Sequence, residues 1–421
     1  MISEPQAPVK PAVHWMTLGQ FSLSLIAIGV LWFFACLAAL AGFFGLLSTS
    51  TLAGDVTSFF IYAASLGFIG ILLVPSVYYA FLSLRGRQAS WHVFKSKRRF
   101  KFGLLIILFP IVLLAGSIVI HTGFLTWLLL PPLHILAILI PIVWLFYLGS
   151  RSLPIGSPQR VSGVLASGMV LSPFLASVLQ MLILAGFGVV VILYLSARPD
   201  LMEEIINLIT RLGIMERYAD PTNPPEILLE ILQPYLQGPG FIYGALIFVA
   251  VLVPMIEEMV KPIGVLFISG SALSPAGGFV AGMLSGAGFA LFESLLIGSA
   301  ADWAITVQGR AGSAVVHIMT AGLVGFALAA AWRKRSYLQL GLAYFLAVVI
   351  HGLWNALALL NLGYPFFIEM PGIPSNLSTL AMIAPLVLAF MALEMFVYLL
   401  WANYRLRKSG GKLQPVSKSV L

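Results

Sequence analysis

Six side chains that can carry out acid–base chemistry or assist it lie in apolar stretches of the carboxyl-terminal half of the chain. They are Glu257, Glu258, Glu293, His317, His351 and Asn355. An ionisable group inside a bilayer costs roughly 2.5–3.5 kcal/mol on insertion scales, so several together indicate a functional site. Such groups can activate water as general bases and stabilise a tetrahedral intermediate. They can equally bind a divalent metal such as Zn2+, and because the HExxH motif is absent, its ligands would come from separate helices.

Helical spacing relates the two adjacent glutamates to a nearby lysine. Lys261 follows Glu257 by four residues and Glu258 by three, so it can neutralise one carboxylate and leave the other free for chemistry. Pro254 and Pro262 flank this group and are expected to loosen the helix there.

The next two polar positions also follow helical geometry. Before Glu293 runs a ridge of small residues that lets a neighbouring backbone approach closely, formed by Gly278, Gly282 and Gly286. At about 100° per residue, Glu293 projects on nearly the same face as this ridge, which predicts that it points into packed protein. His351 and Asn355 are four residues apart and share one helix face, where they could donate hydrogen bonds to an oxyanion.

The composition defines the class of protein. The chain has 421 residues, of which 60% are hydrophobic and only 9% are charged, so lipid must form part of its solvent. Cys36 is the single cysteine, which excludes an intramolecular disulfide. The basic residues stand in short loops between apolar segments, so membrane topology explains the basic balance better than a nucleic-acid partner does.

We predict an all-α polytopic membrane protein with ten transmembrane helices, because a span needs about 20 mostly apolar residues. The predicted spans are 17–48, 56–84, 102–121, 124–149, 164–196, 241–268, 277–298, 314–332, 339–361 and 379–404. With both termini in the cytoplasm, the cytoplasmic segments hold 18 of the 23 Lys and Arg residues, which favours this orientation in a cell membrane.

We divide the chain into four regions. These are an amino-terminal five-helix membrane region (1–196), an extracytoplasmic segment (197–240), an intramembrane core (241–362), and a last helix with a basic cytoplasmic tail (363–421). Within the second region, the apolar residues of 201–217 recur at helical spacing and predict an amphipathic helix, a candidate lid or substrate gate.

Four motifs in the core resemble, in order, those of PrsW-type intramembrane proteases, within the wider superfamily of CAAX prenyl endopeptidases and bacteriocin-processing enzymes. They are EEMVK (257–261), FALFE (289–293), the single histidine of VVHIMTAG (His317) and HGLWN (351–355). The resemblance covers about 250–360, and the glutamate at position 293, where CAAX enzymes usually have histidine, favours the PrsW branch.

The resemblance implies an intramembrane endopeptidase whose catalytic core is built from four helices. It implies that Glu257 activates water with help from Glu258, and that Glu293 and His317 position that water or a metal. His351 and Asn355 would form the oxyanion site. Lys261 and Phe289 would support these residues.

A Zn2+ ion, if the enzyme uses one, would have Glu293, His317 and His351 as candidate ligands. The implied substrate is a membrane protein in the bilayer, with an anti-sigma-like regulator as the family's example. The predicted spans place His317 near the outer end of its helix, which favours a site that opens to the outer side.

Two other functions fit the same residues. An ion-coupled transporter would use buried carboxylates and histidines, although carriers usually show matched repeat halves, and the polar residues here are concentrated in one half. A non-catalytic homologue could bind a membrane protein through the same cavity. Glu394 lies outside the motifs and is expected to be a structural partner for another helix. The sequence does not indicate an oligomeric state.

Overall fold

The computed structural model describes the chain over the apolar segments and the short connections between them. It covers residues 15–47, 56–87, 102–198, 200, 203, 206, 207, 210, 239–266, 273–297, 302–369 and 375–410. These residues form helices and contain no β-strand, which confirms the all-α prediction. The predicted amphipathic helix over 201–217 lies mostly outside the described residues, and the tail beyond 410 lies outside them entirely.

Thirteen α-helices are described. They are α1 (Trp15–Leu47), α2 (Val56–Leu84), α3 (Leu108–Thr122), α4 (Thr126–Ser150), α5 (Pro158–Ala166), α6 (Ser172–Ser196), α7 (Pro239–Ile247), α8 (Val253–Val260), α9 (Ile263–Leu266), α10 (Pro275–Leu295), α11 (Trp303–Lys334), α12 (Tyr337–Glu369) and α13 (Ser375–Gly410). A 3₁₀ turn (Phe102–Ile107) leads into α3. Widened π-helical turns join α5 to α6 (Ser167–Leu171) and α7 to α8 (Phe248–Leu252).

Ten helical segments of the described chain are long and apolar enough to cross a membrane, which confirms the predicted number. The largest difference concerns the eighth span. It was expected to begin at 314, but α11 begins at Trp303, eleven residues earlier. This stretch contains polar residues, so the sequence predicts a loop there. The helix tolerates Arg310 because its guanidinium pairs with Glu293, 2.7 Å away.

This extension changes the position of His317. The residue lies at the middle of the 32-residue helix α11 and not near its end. The predicted opening of the site to the outer side rested partly on that terminal position, and it therefore loses this support.

Helices α10 and α11 form the centre of the molecule. Within their most apolar windows, 78% and 89% of the residues are buried, against 11% for α1 and for the last span. The predicted glycine ridge explains their close packing. A Cβ atom on Gly278, Gly282 or Gly286 would collide with the α11 backbone at Gly325, Ala321 or His317, respectively. The ridge thus brings the α10 and α11 backbones together where the site residues lie.

Helix α8 ends abruptly at Pro262, which has no N–H to continue the helical hydrogen bonds. Two serines from neighbouring helices satisfy the carbonyls left at this break. Ser172 on α6 donates to the carbonyl oxygen of Val260, and Ser285 on α10 donates to that of Lys261. Because no water is present in the bilayer core to serve as a donor, these hydroxyls stabilise the broken turn that carries Lys261.

Candidate active site

The first part of the site is a buried ion pair within one turn of α8. Glu258 and Lys261 are fully buried, and Nζ of Lys261 lies 2.6 Å from Oε1 of Glu258. The same Nζ lies 3.6 Å from Oε2 of Glu257. The sequence allowed the lysine to pair with either glutamate, and the structure shows that Glu258 holds the shorter contact. Glu257 is therefore the carboxylate that remains available.

His351 on α12 is oriented by the same ion pair. Its Nδ1 lies 2.8 Å from Oε1 of Glu258, and its Nε2 lies 3.8 Å from Oε2 of Glu257. A carboxylate at hydrogen-bond distance favours the tautomer whose proton is on Nδ1, which donates to Glu258. Nε2 of His351 then has a free lone pair on the side of Glu257. This arrangement favours a ligand or acceptor role for Nε2 over the predicted donation to an oxyanion.

A second charged group orients His317 on α11. Its Nε2 lies 2.9 Å from Oε2 of Glu293, and this oxygen also lies 2.7 Å from the Arg310 guanidinium. Nε of Arg310 donates to Oγ of Ser294, 3.1 Å away, which anchors the arginine to α10. The carboxylate favours a proton on Nε2 of His317 and leaves Nδ1 of His317 with a free lone pair. Glu293 thus faces α11, in the direction that its helical phase predicted, but its side chain is only half-buried, with 34% of it exposed.

Arg310 was not among the residues selected from the sequence. Its position in the apparent loop before 314 concealed it. In the described chain, Arg310 and Lys261 are the two cations that lie away from the ends of the candidate spans. An arginine directly before an apolar span, with a glutamate in the preceding span, was the signal that could have identified it.

Three buried groups converge between these two charged pairs. One ligand atom from each of Glu257, His317 and His351 lies within 4.8 Å of the other two. Oε2 of Glu257 and Nδ1 of His317 are buried without a hydrogen-bond partner in the described structure. The rings of His317 and His351 meet edge to face, with centroids 4.9 Å apart. Glu293 was expected in this group from the family resemblance, but Glu257 takes that place and Glu293 lies behind His317.

These residues fit a divalent metal ion. Two imidazoles and one carboxylate are a donor set typical of catalytic zinc sites, which leave a further position for water. Each histidine has a carboxylate behind its other nitrogen, which is the usual arrangement around metal-binding histidines. The charges of the site also fit a metal ion. The carboxylates of Glu257, Glu258 and Glu293 face only two cations, Lys261 and Arg310, so one negative charge remains unbalanced, on Glu257.

Phe289 and Asn355, both predicted as site residues, contact the side chains and the backbone around the converging groups. The Phe289 ring on α10 lies 4.8 Å from Nζ of Lys261 and 5.5 Å from the His317 ring, so it separates the site from the apolar core. Nδ2 of Asn355 donates to the carbonyl of Val249, 3.1 Å away. That carbonyl belongs to the widened turn between α7 and α8, and such turns leave carbonyls without their usual helical donor. Asn355 therefore fixes the helix that carries Glu257.

Other polar residues of the spans lie apart from this site. His134 on α4 is buried and accepts a hydrogen bond from the Trp303 indole through Nδ1, while its Nε2 lies 3.3 Å from the carbonyl of Leu295. These bonds connect α4 to the adjoining ends of α10 and α11. Glu394 is exposed on α13, and the described residues supply it with no partner.

Comparison with known protein families identifies a match for part of the chain. Residues 226–393 match the model of the PrsW family of intramembrane metalloproteases, which confirms the resemblance found from the motifs and extends it on both sides. The matched region contains all the residues of the candidate site. Searches of curated proteins and of solved structures gave no match.

Proposed function

Given the match of residues 226–393 to the PrsW family of intramembrane metalloproteases, we propose that this protein hydrolyses a peptide bond of a membrane-protein substrate at the site of Glu257, His317 and His351. The observation that carries the proposal is the convergence of one ligand atom from each residue within 4.8 Å. All three groups are buried among membrane-spanning helices, so a substrate must present its scissile bond at membrane depth.

The three converging residues would hold the metal that the family description implies. Zn2+ bound there would supply a water molecule of lowered pKa and would polarise the scissile carbonyl. In the metal-free alternative, Oε2 of Glu257 accepts the proton of the attacking water and returns it to the leaving amine. Both mechanisms require the same oxygen, because the carboxylate of Glu258 is already engaged by Lys261 and His351.

The charged pairs have positioning roles in this proposal. Glu258 holds the proton of His351 on Nδ1 and so keeps Nε2 free, while Lys261 balances the charge of Glu258. Glu293 holds the proton of His317 on Nε2, and Arg310 balances Glu293. Fixing the tautomer and the ring orientation before the substrate arrives reduces the reorganisation that the reaction requires.

The substrate class follows from the place of the site and from the family. We propose a single-span membrane protein, for which the PrsW resemblance suggests an anti-sigma-like regulator. We further propose that the protein lies in the cell membrane with both termini in the cytoplasm. In the described residues, the basic ends of α11 (Arg333, Lys334) and α13 (Arg407, Lys408) agree with the positive-inside rule.

The test uses purified protein in proteoliposomes with a panel of fluorogenic single-span peptides as probes. We expect cleavage of at least one probe, loss of cleavage in Glu257→Gln and in His351→Ala, and full cleavage in Glu394→Gln. The last variant makes the same chemical change in a span outside the site. Inhibition by a chelator and recovery with Zn2+ would support the metal-dependent form. Cleavage that persists in both site variants would contradict the proposal.

A further inference from the structure

Glu394 is a carboxylic acid on the lipid-facing side of a membrane-spanning helix. It lies near the middle of α13, inside the candidate span Leu377–Ser409, and its side chain is exposed. The part of the chain that the structure describes supplies no hydrogen bond or ion pair to it. A carboxyl group in this position is unfavourable to insert, and no residue of the proposed active site compensates for that cost.

The exposed side chain of Glu394 lies outside the face of α13 that packs against the other described helices. Small or apolar residues form the packed face, where Ala381, Ala384, Leu399 and Ala402 are buried. At about 100° per residue, Glu394 lies about 110° from the centre of that face, outside the packed stripe. Phe390, Val397 and Trp401 share the outward side, with exposed fractions of 58%, 56% and 50%. We call this side, formed by Phe390, Glu394, Val397 and Trp401, the outer α13 face.

The depth of Glu394 can be judged from the aromatic and basic residues that follow it. Tyr398 and Trp401 pack ring against ring, and the Arg405 guanidinium lies 5.5 Å from the Trp401 ring. Aromatic residues next to a cation are typical of the level of the lipid headgroups. Glu394 precedes Trp401 by seven residues, which corresponds to about 10 Å at 1.5 Å per residue. The carboxyl group therefore lies within the hydrocarbon region.

Charge indicates what could cover this face. Away from the ends of the candidate spans, the described chain has two cations, Lys261 and Arg310, and both pair with glutamates of the site. The other cations of these spans lie close to a span end, at the level of the headgroups. A second copy of the chain packed in parallel through the same face would therefore offer Glu394 another carboxyl group and no cation at this depth. A different membrane helix with a Lys or Arg at this depth would satisfy Glu394, since each group relieves the other's unfavourable insertion.

We propose that the outer α13 face binds a transmembrane helix of another protein that carries a lysine or arginine about 10 Å below the headgroup level. The proposal does not depend on the hydrolytic function, because Glu394 lies outside the residues assigned to catalysis. It assigns Glu394 to the recognition of a partner helix.

The test measures Förster transfer in liposomes between the full-length chain and a designed single-span peptide. The chain carries a dye at Ser409→Cys in a Cys36→Ser background. The probe is a leucine-rich helix with one lysine at the depth of Glu394, and matched probes carry leucine or glutamate there. We expect the lysine probe to bind about tenfold more tightly than the leucine probe, in keeping with polar contacts between membrane helices.

In Glu394→Leu, we expect the lysine and leucine probes to bind within twofold of each other. Glu394→Gln should keep an intermediate preference, because an amide can still accept a hydrogen bond from lysine. Thermal unfolding should be unchanged in both variants, since the exposed side chain makes no hydrogen bond or ion pair with a described residue. Equal binding of the lysine and leucine probes to the unmodified chain would overturn the proposal. Glu394-dependent transfer between two copies of the chain would also overturn it.

Discussion

The adjacent residues Glu257 and Glu258 should respond in opposite ways to the same substitution by glutamine. Glu258→Gln removes the carboxylate that lies 2.6 Å from Lys261 and 2.8 Å from His351, and it leaves a fully buried lysine without its main partner. Breaking a buried ion pair costs about 3–5 kcal/mol. Lys261 retains Glu257 at 3.6 Å, so we expect a loss near the lower end, about 3 kcal/mol.

Glu257→Gln should have a small effect on stability and a large effect on function. Its Oε2 is buried without a hydrogen-bond partner, so replacing a charged oxygen by an amide removes a desolvated charge and should change the free energy of unfolding by less than about 1 kcal/mol. The same change removes the carboxylate of the converging group and should abolish peptide cleavage and lower Zn2+ affinity.

The assay for this pair is reversible unfolding in mixed micelles, followed by tryptophan fluorescence during titration with a denaturing detergent. Zn2+ binding is measured on the same preparations. The double variant Glu258→Gln with Lys261→Met should recover most of the stability that Glu258→Gln loses, because both buried charges are then absent. If Glu257→Gln were the destabilising variant and Glu258→Gln the neutral one, the assignment of roles to the two glutamates would be refuted.

Two further predictions concern the helices that support the site. Arg310→Gln should lower Zn2+ affinity about 10–100-fold, as is typical when a group behind a metal ligand is lost. Arg310→Lys should restore part of this affinity, because lysine can pair again with Glu293. Equal Zn2+ affinities in the two variants would contradict this role. Gly282→Ala should destabilise the protein by about 1–3 kcal/mol because its Cβ would collide with the Ala321 backbone, whereas Gly19→Ala, which faces open space, should not, as thermal unfolding will show.

The spans and their central pair could be predicted from the sequence because local rules govern them. Apolar length sets the number of helices, and the four-residue period of glycines sets the close packing of α10 and α11. The direction of Glu293 followed from the same helical phase, and its contacts with His317 and Arg310 agree with it. The start of α11 could not be predicted, since Arg310 is tolerated there only because a residue of another helix pairs with it.

The division of work between the two glutamates also depends on contacts between helices. Within α8, Lys261 is within reach of both carboxylates, so the spacing alone leaves them equivalent. His351, ninety-three residues from Glu258, selects Glu258 through a hydrogen bond of 2.8 Å. The hydrogen bond of Asn355 to Val249 is hidden for a similar reason, because the widened turn that exposes this carbonyl has no clear sequence signal.

The most direct test of the central claim is the Zn2+ affinity of histidine-to-alanine variants of the purified, metal-depleted protein. We predict one Zn2+ per chain in the unmodified protein, a loss of at least about 100-fold in affinity for His317→Ala and for His351→Ala, and unchanged affinity for His121→Ala, whose side chain is exposed at the end of α3. Equal Zn2+ affinity in all four proteins would contradict a metal-binding hydrolytic site at Glu257, His317 and His351.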